Sequence, residues 1–354
     1  MSRSVRVCAV PAYANRQFNP YNALLYDHVK PHVSEVVEFR VRARARGPVD
    51  ILHIHWPDLA VRSQGAWHTA ALDAAKYLAR IRACKARGAR LVWTAHNLAP
   101  HDTGHPRLMR WYFRSFLRLV DGVIFLSEAS RTEAFAQYPW LRETARTVVI
   151  PHGHYGPVLQ RPGLSREAAR RELGLEQDGF LFLFFGQVRA YKNVPLLLCE
   201  FLALDSGEAR LAIAGLPGPA GAAGQELRAE IEGLAAGRVH LDLRLIPDDT
   251  LEAYLAACDC VVLPYRNILN SGSVLMSLSM GRPVIAPAVG SLPELAAKVG
   301  PQWVRCYTGE FQRGLLADAL QQRLPEEAKP DLSPYDWPAI GEQTAAFYQS
   351  LMRS

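Results

Sequence analysis

Residues 261–287, VVLPYRNILNSGSVLMSLSMGRPVIAP, have in order the patterns of a strand, a loop, a short helix and a second strand. The first strand ends at Leu263, and the helix begins near Ser271 and ends at Gly281. Pro283 then leads into the second strand. Strands that are apolar almost throughout are typical of a parallel sheet covered by helices on both faces. This stretch therefore predicts an α/β fold.

The same alternation of short apolar runs and longer helical patterns extends through both halves of the chain. The predicted strands are VRVCAV, VVEFRV, DILHIHW, ARLVWTAH, GVIFLS and TVVIP in the first half, and FLFLFF, ARLAIAG, VHLDLRL, DCVVLPY and PVIAPAV in the second. At 354 residues the chain exceeds the size at which a single core usually stops growing. Two successive sets of strands therefore predict two Rossmann-like, doubly wound domains.

A cluster of glycine and proline at 153–163 marks the predicted boundary between these domains. We place the first domain at 1–155 and the second at 156–330. The remaining segment, 331–354, is predicted to form a helix that packs back on the first domain.

The net charge of +6 and the isoelectric point near 9.0 indicate an anionic partner. No nucleic-acid-binding module accompanies the excess of arginine, so a nucleotide or a lipid surface is favoured over nucleic acid. The chain has no apolar run of the roughly 20 residues that cross a bilayer and no signal-peptide pattern, so we expect a cytoplasmic protein. Its six cysteines lack the paired spacing of a zinc site.

The start of the short helix, Ser271 to Ser273, has the chemistry of an anion site. Free main-chain N–H groups and the positive end of the helix dipole attract negative charge there. Gly272 lets phosphate oxygens approach the main chain, and the preceding loop carries Arg266 and Asn270. The simpler alternative is that a serine only caps a core helix.

The loop after FLFLFF, GQVRAYKN, is the second candidate for phosphate binding. Gly186 allows a tight exit from the strand, and Arg189 and Lys192 place two cations at the carboxyl edge of the sheet. Asn193 is in position to cap the next helix. Two cations beside a strand exit suit a diphosphate, whereas solvated surface charges are the alternative.

Two segments of the first half, HIHWPD (53–58) and TAHNLAPHD (94–102), also follow predicted strands. They cluster polar and titratable side chains on one rim of the predicted sheet: His55, Asp58, His96, Asn97, His101 and Asp102. Such a density of titratable groups suits general-base chemistry. The alternatives are structural histidines and a metal site, and the spacing matches no common zinc motif.

With these loops in order, the chain resembles the GT-B glycosyltransferases over nearly its full length. The resemblance lies in FFGQVRAYKN, LAIAG, the stretch DLRLIPDDTLEAYLAACDCVVLPY and SMGRPVIAPAVGSLPE. It implies that two such domains face each other across a cleft, that Arg189 and Lys192 contact the donor phosphates, and that Gly272 and Ser273 hold the distal phosphate. It also implies that Glu294 lies near the donor ribose or sugar. Enzymes of this kind use a nucleotide sugar as substrate and need no metal or other cofactor.

One departure from the family pattern bears on the mechanism. Retaining members carry two glutamates at the positions that correspond to Ile268 and Met276 in this sequence. The absence of both acids favours inversion, in which a base of the first domain deprotonates the acceptor. Asp102 is the first candidate for this base, followed by His101, His96 and Asp58.

The first half is similar to the GDP-mannose-dependent β-mannosyltransferases of xanthan-type exopolysaccharide assembly. The similarity lies in AVPAY, NPYNALLYDHV, HIHWPD and WTAHNLAPHD. It implies that the donor is GDP-mannose and that the acceptor is a polyprenyl-diphosphate-linked oligosaccharide on the cytoplasmic membrane face. The residues expected to bind the acceptor are Asn19, Tyr21, His55 and Asn97.

The segment PRLMRWYFRSFLRLV has the pattern of a basic amphipathic helix, which is typical of proteins at a membrane surface. Its arginines fall on one stripe of the predicted helix: Arg107, Arg110, Arg114 and Arg118. We expect them to contact anionic lipid and to hold the protein peripherally on the inner face of the membrane. The alternative is an ordinary helix with solvated arginines.

Three other functions remain open from the sequence. The first is a retaining hexosyltransferase that uses another nucleotide sugar. The second is a sugar-nucleotide epimerase of the same architecture, and the third is a non-catalytic sugar-nucleotide-binding protein.

Overall fold

The structure, a computed structural model, describes residues 5–17, 19–39, 48–62, 65–98, 104–218, 221–325 and 327–353. The chain forms two compact units. One comprises Met1–Gly153 with Tyr335–Ser354, and the other comprises His154–Pro334.

The first unit is built on a parallel sheet with helices between its strands. Its strands are β1 (Arg6–Val10), β2 (Glu35–Glu38), β3 (Ile51–Ile54), β4 (Arg90–Ala95), β5 (Gly122–Phe125) and β6 (Arg146–Val149). Its helices before residue 153 are α1 (Tyr21–Val29), α2 (Trp67–Lys85), α3 (Pro106–Leu117), α4 (Glu128–Gln137) and α5 (Leu141–Thr144). Within the described part of this unit the strand order is β2-β1-β3-β4-β5-β6.

The second unit has a second parallel sheet. Its strands are β7 (Phe180–Phe185), β8 (Ala209–Ala214), β9 (Val239–Asp242), β10 (Cys260–Val262), β11 (Val284–Pro287) and β12 (Val304–Tyr307). Its helices are α6 (Arg166–Glu172), α7 (Val194–Leu202), α8 (Ala222–Leu234), α9 (Asp248–Ala257), α10 (Gly272–Ser279), α11 (Leu292–Val299) and α12 (Arg313–Gln321). The order β9-β8-β7-β10-β11-β12 is that of a Rossmann sheet. The two successive α/β folds predicted from the sequence are therefore confirmed.

The last helix of the chain, α13 (Trp337–Met352), belongs to the first unit and packs against α1. The two helices approach closely at Gly341, where a Cβ atom would lie 2.4 Å from the carbonyl oxygen of His28. Trp337 and Tyr348 of α13 are buried. The apolar and aromatic face of this helix therefore completes the core of the first unit.

All eleven strands predicted from the sequence are present, but β12 was not predicted. Arg305 and Cys306 interrupt its apolar pattern, and among the described residues it pairs only with β11, at one edge of the sheet. An edge strand needs only a partly apolar sequence, because one of its sides lacks a neighbouring strand. The sequence signal of β12 was weak for this reason.

Candidate functional site

The topology of the second sheet places its candidate phosphate-binding loops side by side. β7 and β10 are neighbours, and the chain runs outward from them in opposite directions toward β8 and β11. Ligands of doubly wound folds bind at the carboxyl ends of the strands beside such a switch point. The loop after β7 carries Gly186 to Lys192, and the loop after β10 leads to Ser271.

The helix that begins in the second of these loops has a serine cap. Ser271 is the N-cap of α10, and its Oγ accepts a hydrogen bond of 3.3 Å from the Val274 N–H. Gly272 and Ser273 occupy the first two helical positions, whose N–H groups have no partner within a helix. Capping and anion binding are therefore compatible, because they use different N–H groups of the same helix start.

Three of the expected donor-binding residues converge between these loops. A Cβ atom on Gly186 would lie 3.4 Å from Lys192 Nζ and 3.9 Å from Ser273 Oγ. The space beside Gly186 is therefore bordered by an ammonium group and by the start of α10.

The Lys192 side chain is buried, with 9% of its surface exposed. Its ammonium lies 5.9 Å from the Phe184 ring centre and 5.2 Å from that of Tyr265, and no described carboxylate forms an ion pair with it. Burial, with a smaller effect of Arg189, lowers the pKa of Lys192. A buried cation is costly unless it is paired, so this position favours an anionic ligand.

The loop after β7 is held by the loop after β8. A Cβ atom on Gly215 would lie 2.0 Å from the Gly186 carbonyl oxygen, so only glycine allows this approach. The Val188 N–H donates to the carbonyl of Leu216, and the Gly218 N–H donates to the carbonyl of Val188. The glycine-rich segment after β8 thus supports the Gly186 loop.

The other expected donor-binding residues lie at the same edge of the sheet. Arg189 donates through Nη2 to Gln187 Oε1 at 3.0 Å, and the Arg266 side chain is exposed. Asn270 directly precedes the Ser271 cap. Glu294 lies in the first turn of α11 and accepts a hydrogen bond of 3.0 Å from the Lys298 ammonium.

Two main-chain contacts connect these segments. The Arg266 N–H donates to the Tyr191 carbonyl at 2.8 Å, which joins the loops after β7 and β10. A Cβ atom on Gly290 would lie 2.2 Å from the Ile268 carbonyl oxygen, so the turn before α11 packs on the loop after β10. The expected cap at Asn193 is wrong, because its side chain makes no capping hydrogen bond and its main chain is left-handed, with φ of 58°.

The first unit contains a hydrogen-bonded histidine network at the ends of β3 and β4. The Tyr26 hydroxyl lies 2.9 Å from His53 Nδ1 and 2.7 Å from His55 Nε2. His55 Nδ1 lies 3.1 Å from His96 Nε2. The Tyr348 hydroxyl of α13 lies 2.6 Å from His53 Nδ1, so the network also binds the last helix.

The network histidines are neutral near pH 7, and so is His152, whose ring lies beside Tyr21 next to the network. Burial lowers the pKa of His53 to about 3 and that of His152 to about 4. It also holds the pKa values of His55 and His96 well below their usual range, with further contributions from neighbouring histidines. A neutral imidazole with so low a pKa is a weak base, so this environment favours a structural role for His55 and His96.

The remaining candidates of the first unit lie in different settings. Asp58 is half-buried in the short 3₁₀ helix Pro57–Ala60, directly after β3. Tyr21 is buried, and its N–H donates to Asn19 Oδ1 at 3.1 Å. Asn97 is partly exposed after β4. His101 and Asp102 lie outside the described residues.

The loop after β1 contains an anion site that is filled from within the chain. The Glu38 carboxylate accepts hydrogen bonds of 2.8 to 3.1 Å from the N–H groups of Ala12, Tyr13 and Ala14. The corresponding loop of a dinucleotide-binding fold holds the ligand phosphates. A carboxylate in this place disfavours phosphate binding by the first unit. No local sequence pattern indicates a contact between residues this far apart.

The basic helix predicted from the sequence is α3, and its arginine stripe is exposed: Arg107, Arg110, Arg114 and Arg118. Tyr112 and Phe116 of the opposite face are buried. Trp111 lies beside the arginines with 52% of its surface exposed. In the described ranges, no helix combines the length and the apolar character needed to cross a bilayer.

No group of three or more His, Cys, Asp or Glu side chains in the described part of the chain is arranged to hold a metal ion. His53 and His55 instead form hydrogen bonds with tyrosine hydroxyl groups, and His96 forms one with His55.

Comparisons with known proteins agree with this architecture. The family described as Glycosyl transferases group 1 matches residues 179–320. GDP-mannose:glycolipid 4-beta-D-mannosyltransferase of Xanthomonas campestris pv. campestris is 34% identical, over 93% of this chain and 87% of the relative. Among solved structures, sucrose-phosphate synthase from Thermosynechococcus elongatus has a TM-score of 0.65 at 17% identity, over 99% and 100% of the two chains. The Anabaena protein HepE, solved with UDP and glucose, has a TM-score of 0.60 at 17% identity, over 99% and 98%.

The Xanthomonas relative shows the family, and the solved structures show the fold. An epimerase is disfavoured because this relative is a transferase. The chain belongs to the group 1 glycosyltransferases and is a glycosyltransferase with the GT-B fold.

Proposed function

We propose that the protein transfers mannose from GDP-mannose to a polyprenyl-diphosphate-linked oligosaccharide in exopolysaccharide assembly. The substrates named for the Xanthomonas relative support the donor and the lipid acceptor, since the identity extends over most of both chains. The observation in the structure that carries the donor assignment is the buried Lys192 ammonium beside Gly186 and Ser273. A nucleotide diphosphate supplies the negative charge that this position lacks.

In this proposal the second unit binds the donor through its loops. Lys192 and the N–H groups at the start of α10 contact the diphosphate, and Arg189 and Arg266 add positive charge. Asn270 and Ser271 position the start of the helix, and Glu294 binds the ribose or the sugar. The same cations stabilise the negative charge that develops on the departing GDP.

We further propose that the reaction inverts the anomeric configuration. A base takes the proton of the acceptor hydroxyl, the hydroxyl oxygen attacks C1 of mannose, and the bond from C1 to the GDP oxygen breaks. The apolar side chains of Ile268 and Met276 favour this course, because neither supplies a carboxylate as the retaining pattern does. Asp102 remains our first candidate for the base, with Asp58 and His101 as alternatives.

The low pKa values in the first unit favour a supporting role for its histidines. His55 and His96 hold the ends of β3 and β4 in place, and Tyr21 packs on both rings. We propose that Asn19 and Asn97, which are less buried, contact the acceptor. A neutral, rigid network at this edge keeps the base in a fixed position.

We propose that the protein acts peripherally on the inner face of the cytoplasmic membrane. The exposed arginines of α3 and the neighbouring Trp111 support contact with anionic lipid, because aromatic and basic side chains together favour the membrane interface.

A transfer assay with radiolabelled GDP-mannose and a lipid-diphosphate-linked oligosaccharide tests the activity. We expect labelled mannose in the lipid fraction with release of GDP, and a β-linkage in the product. An α-linkage would contradict inversion. Release of GDP without a labelled lipid product, across a panel of such acceptors, would contradict the proposed acceptor class.

Substitution of the candidate base separates catalysis from donor binding. We expect Asp102→Asn to lower kcat by about 100-fold or more while GDP binding stays unchanged, since a general base contributes about 10²–10⁴-fold to a rate. Asp205→Asn, at an exposed position of the second unit, serves as the control. Full activity of Asp102→Asn would show that another residue is the base. A non-catalytic binding protein would transfer no mannose in any variant.

A further inference from the structure

The second unit has a cavity at the amino edge of its sheet, at the opposite end of the strands from the donor loops. It is bordered by the beginnings of β7 and β10, by the residue before β11 and by the segment after α12. Its volume is about 110 Å³, many times the ~10–15 Å³ that a single water molecule requires. No part of the function proposed above uses this cavity.

Four arginines line the cavity: Arg166, Arg282, Arg305 and Arg323. Each is held in place by a contact with the protein. Arg282 and Arg305 donate through Nη2 to the carbonyls of Ala256 and Gln322, at 3.1 and 2.7 Å. The Arg323 guanidinium lies 5.1 Å from the ring centre of Phe180.

Only one carboxylate lines the cavity, and it is already engaged. Asp259 accepts hydrogen bonds from the Leu181 N–H at 2.7 Å and from Arg170 Nη2 at 2.9 Å. Arg170 lies outside the lining and is buried. Asp259 also lies 3.4 Å from Arg166. Its single negative charge is thus shared by two guanidinium groups. Glu208, outside the lining, lies 3.9 Å from Arg323 Nη2. Even with this second carboxylate, the four arginines of the lining keep an excess of positive charge.

Several guanidinium N–H groups of the lining lack acceptors. The Nε atoms of Arg166, Arg282 and Arg305, and the Nη1 atom of Arg305, are buried without a hydrogen-bond partner in the described part of the chain. Each buried donor without a partner costs roughly 1–3 kcal/mol. Groups of this kind in a native protein call for an explanation such as a bound ion.

We propose that this cavity binds a phosphate-class oxyanion. Guanidinium groups recognise such anions through paired N–H donors, and an oxyanion supplies acceptors to several arginines at once. Two sources have this chemistry, inorganic phosphate and the phosphate group of a sugar 1-phosphate. The site is separate from the donor loops, which lie at the carboxyl ends of the same strands.

Thermal unfolding of the full chain tests the proposal, because a ligand that binds only the folded state raises the melting temperature. Inorganic phosphate and mannose 1-phosphate are titrated separately, with chloride as the matched-ionic-strength control. We expect either phosphate compound to raise the melting temperature and chloride to have little effect. The compound that acts at lower concentration identifies the source.

Variants locate the effect. Arg305→Gln is expected to weaken phosphate binding by about tenfold or more. For each variant, the rise in melting temperature is measured relative to the same variant without phosphate. Arg313→Gln, which removes an exposed arginine of the same unit, is expected to keep the full response. Lys192→Met removes any contribution of the donor loops, and the response that remains in this variant is expected to be lost when Arg305→Gln is added. Arg282→Gln provides the second test if Arg305→Gln does not fold.

Three results would overturn the proposal. They are stabilisation by phosphate no greater than that by chloride, stabilisation that survives both cavity substitutions, and stabilisation that disappears in Lys192→Met. Crystals soaked in tungstate give an independent readout, with anomalous density expected among the lining arginines. Density found only at the donor loops would equally contradict the site.

Discussion

At the scale of single residues, Lys192 is a charge that the protein keeps at a cost to its stability. Its neighbours Phe184 and Tyr265 are aromatic, and no described carboxylate pairs with it. Removing a buried charge of this kind removes the free-energy cost of its desolvation. A bound diphosphate would instead offset that cost by pairing with the charge. Function and stability therefore make opposite demands on this side chain.

We expect Lys192→Met to stabilise the unliganded protein by about 1 kcal/mol or more, because methionine fills a similar space without a buried charge. Urea unfolding measures the change. Lys329→Met, at an exposed position, is the control and should have little effect. A clear loss of stability in Lys192→Met would show that the ammonium has an unrecognised partner in the folded protein.

The lowered pKa of Lys192 predicts how nucleotide binding depends on pH. Burial places its pKa in the free protein below the ordinary value of 10.5. A diphosphate binds the protonated form, so affinity is full below the pKa of the free protein and falls as the pH rises through it. Titrations of GDP at increasing alkaline pH check this, and Lys192→Met corrects for titration of the nucleotide. An equal decline in both proteins would contradict the assignment.

At the scale of elements, the histidine network joins β3, β4, α1 and α13. Its members are neutral when folded, but in the unfolded chain a histidine takes up a proton near the ordinary value of about 6.5. The unfolded state therefore binds more protons than the folded state below this pH, and stability falls as the pH drops. For His152 the loss extends from about 6.5 down to its folded pKa of about 4.

We expect the free energy of unfolding to decrease steadily between pH 7 and pH 5, as measured with urea. The slope of the free energy of unfolding against pH should be smaller in His152→Asn, by an amount that corresponds to about one bound proton. The exposed His32 provides the control, since His32→Asn should leave the dependence unchanged. An identical slope in wild type and His152→Asn would contradict the low pKa of His152.

The exposed face of α3 leads to a prediction about lipid binding. We expect Arg107→Gln with Arg110→Gln to weaken binding to anionic vesicles roughly thirtyfold, at about 1 kcal/mol per cation. Vesicle sedimentation at low salt measures this. The control replaces two exposed arginines of the second unit, Arg171 and Arg313, with glutamine. An equal loss of vesicle binding in the control would show that the attraction does not depend on α3. Equal binding to neutral vesicles would contradict recognition of anionic lipid.

The elements could be predicted from the sequence because burial on both faces of a sheet leaves a local signature. FLFLFF and GVIFLS became β7 and β5 for this reason. The partners of polar side chains leave no such signature. Tyr348 and His53 are separated by 295 positions, and nothing near either residue indicates that they meet. The Glu38 contacts with the loop after β1 and the left-handed main chain of Asn193 escaped prediction in the same way.

At the scale of the whole molecule, the two units have similar sheets but different chemistry at the carboxyl ends of their strands. The first unit fills its main-chain anion site with Glu38 and surrounds the ends of β3 and β4 with neutral histidines. The second leaves a buried ammonium beside a helix start. Similar sheets thus differ in the chemistry of their strand ends because of a few side chains.

We propose that the donor diphosphate binds between Lys192 and Ser273 in the second unit. A calorimetric titration of GDP into the wild-type protein and into Lys192→Met measures this binding. We expect one GDP bound per wild-type chain and binding at least about tenfold weaker in the variant, since a charged hydrogen bond contributes roughly 1.5–3 kcal/mol. Undiminished GDP binding by Lys192→Met, or no binding of GDP, UDP or ADP by the wild-type protein, would contradict it.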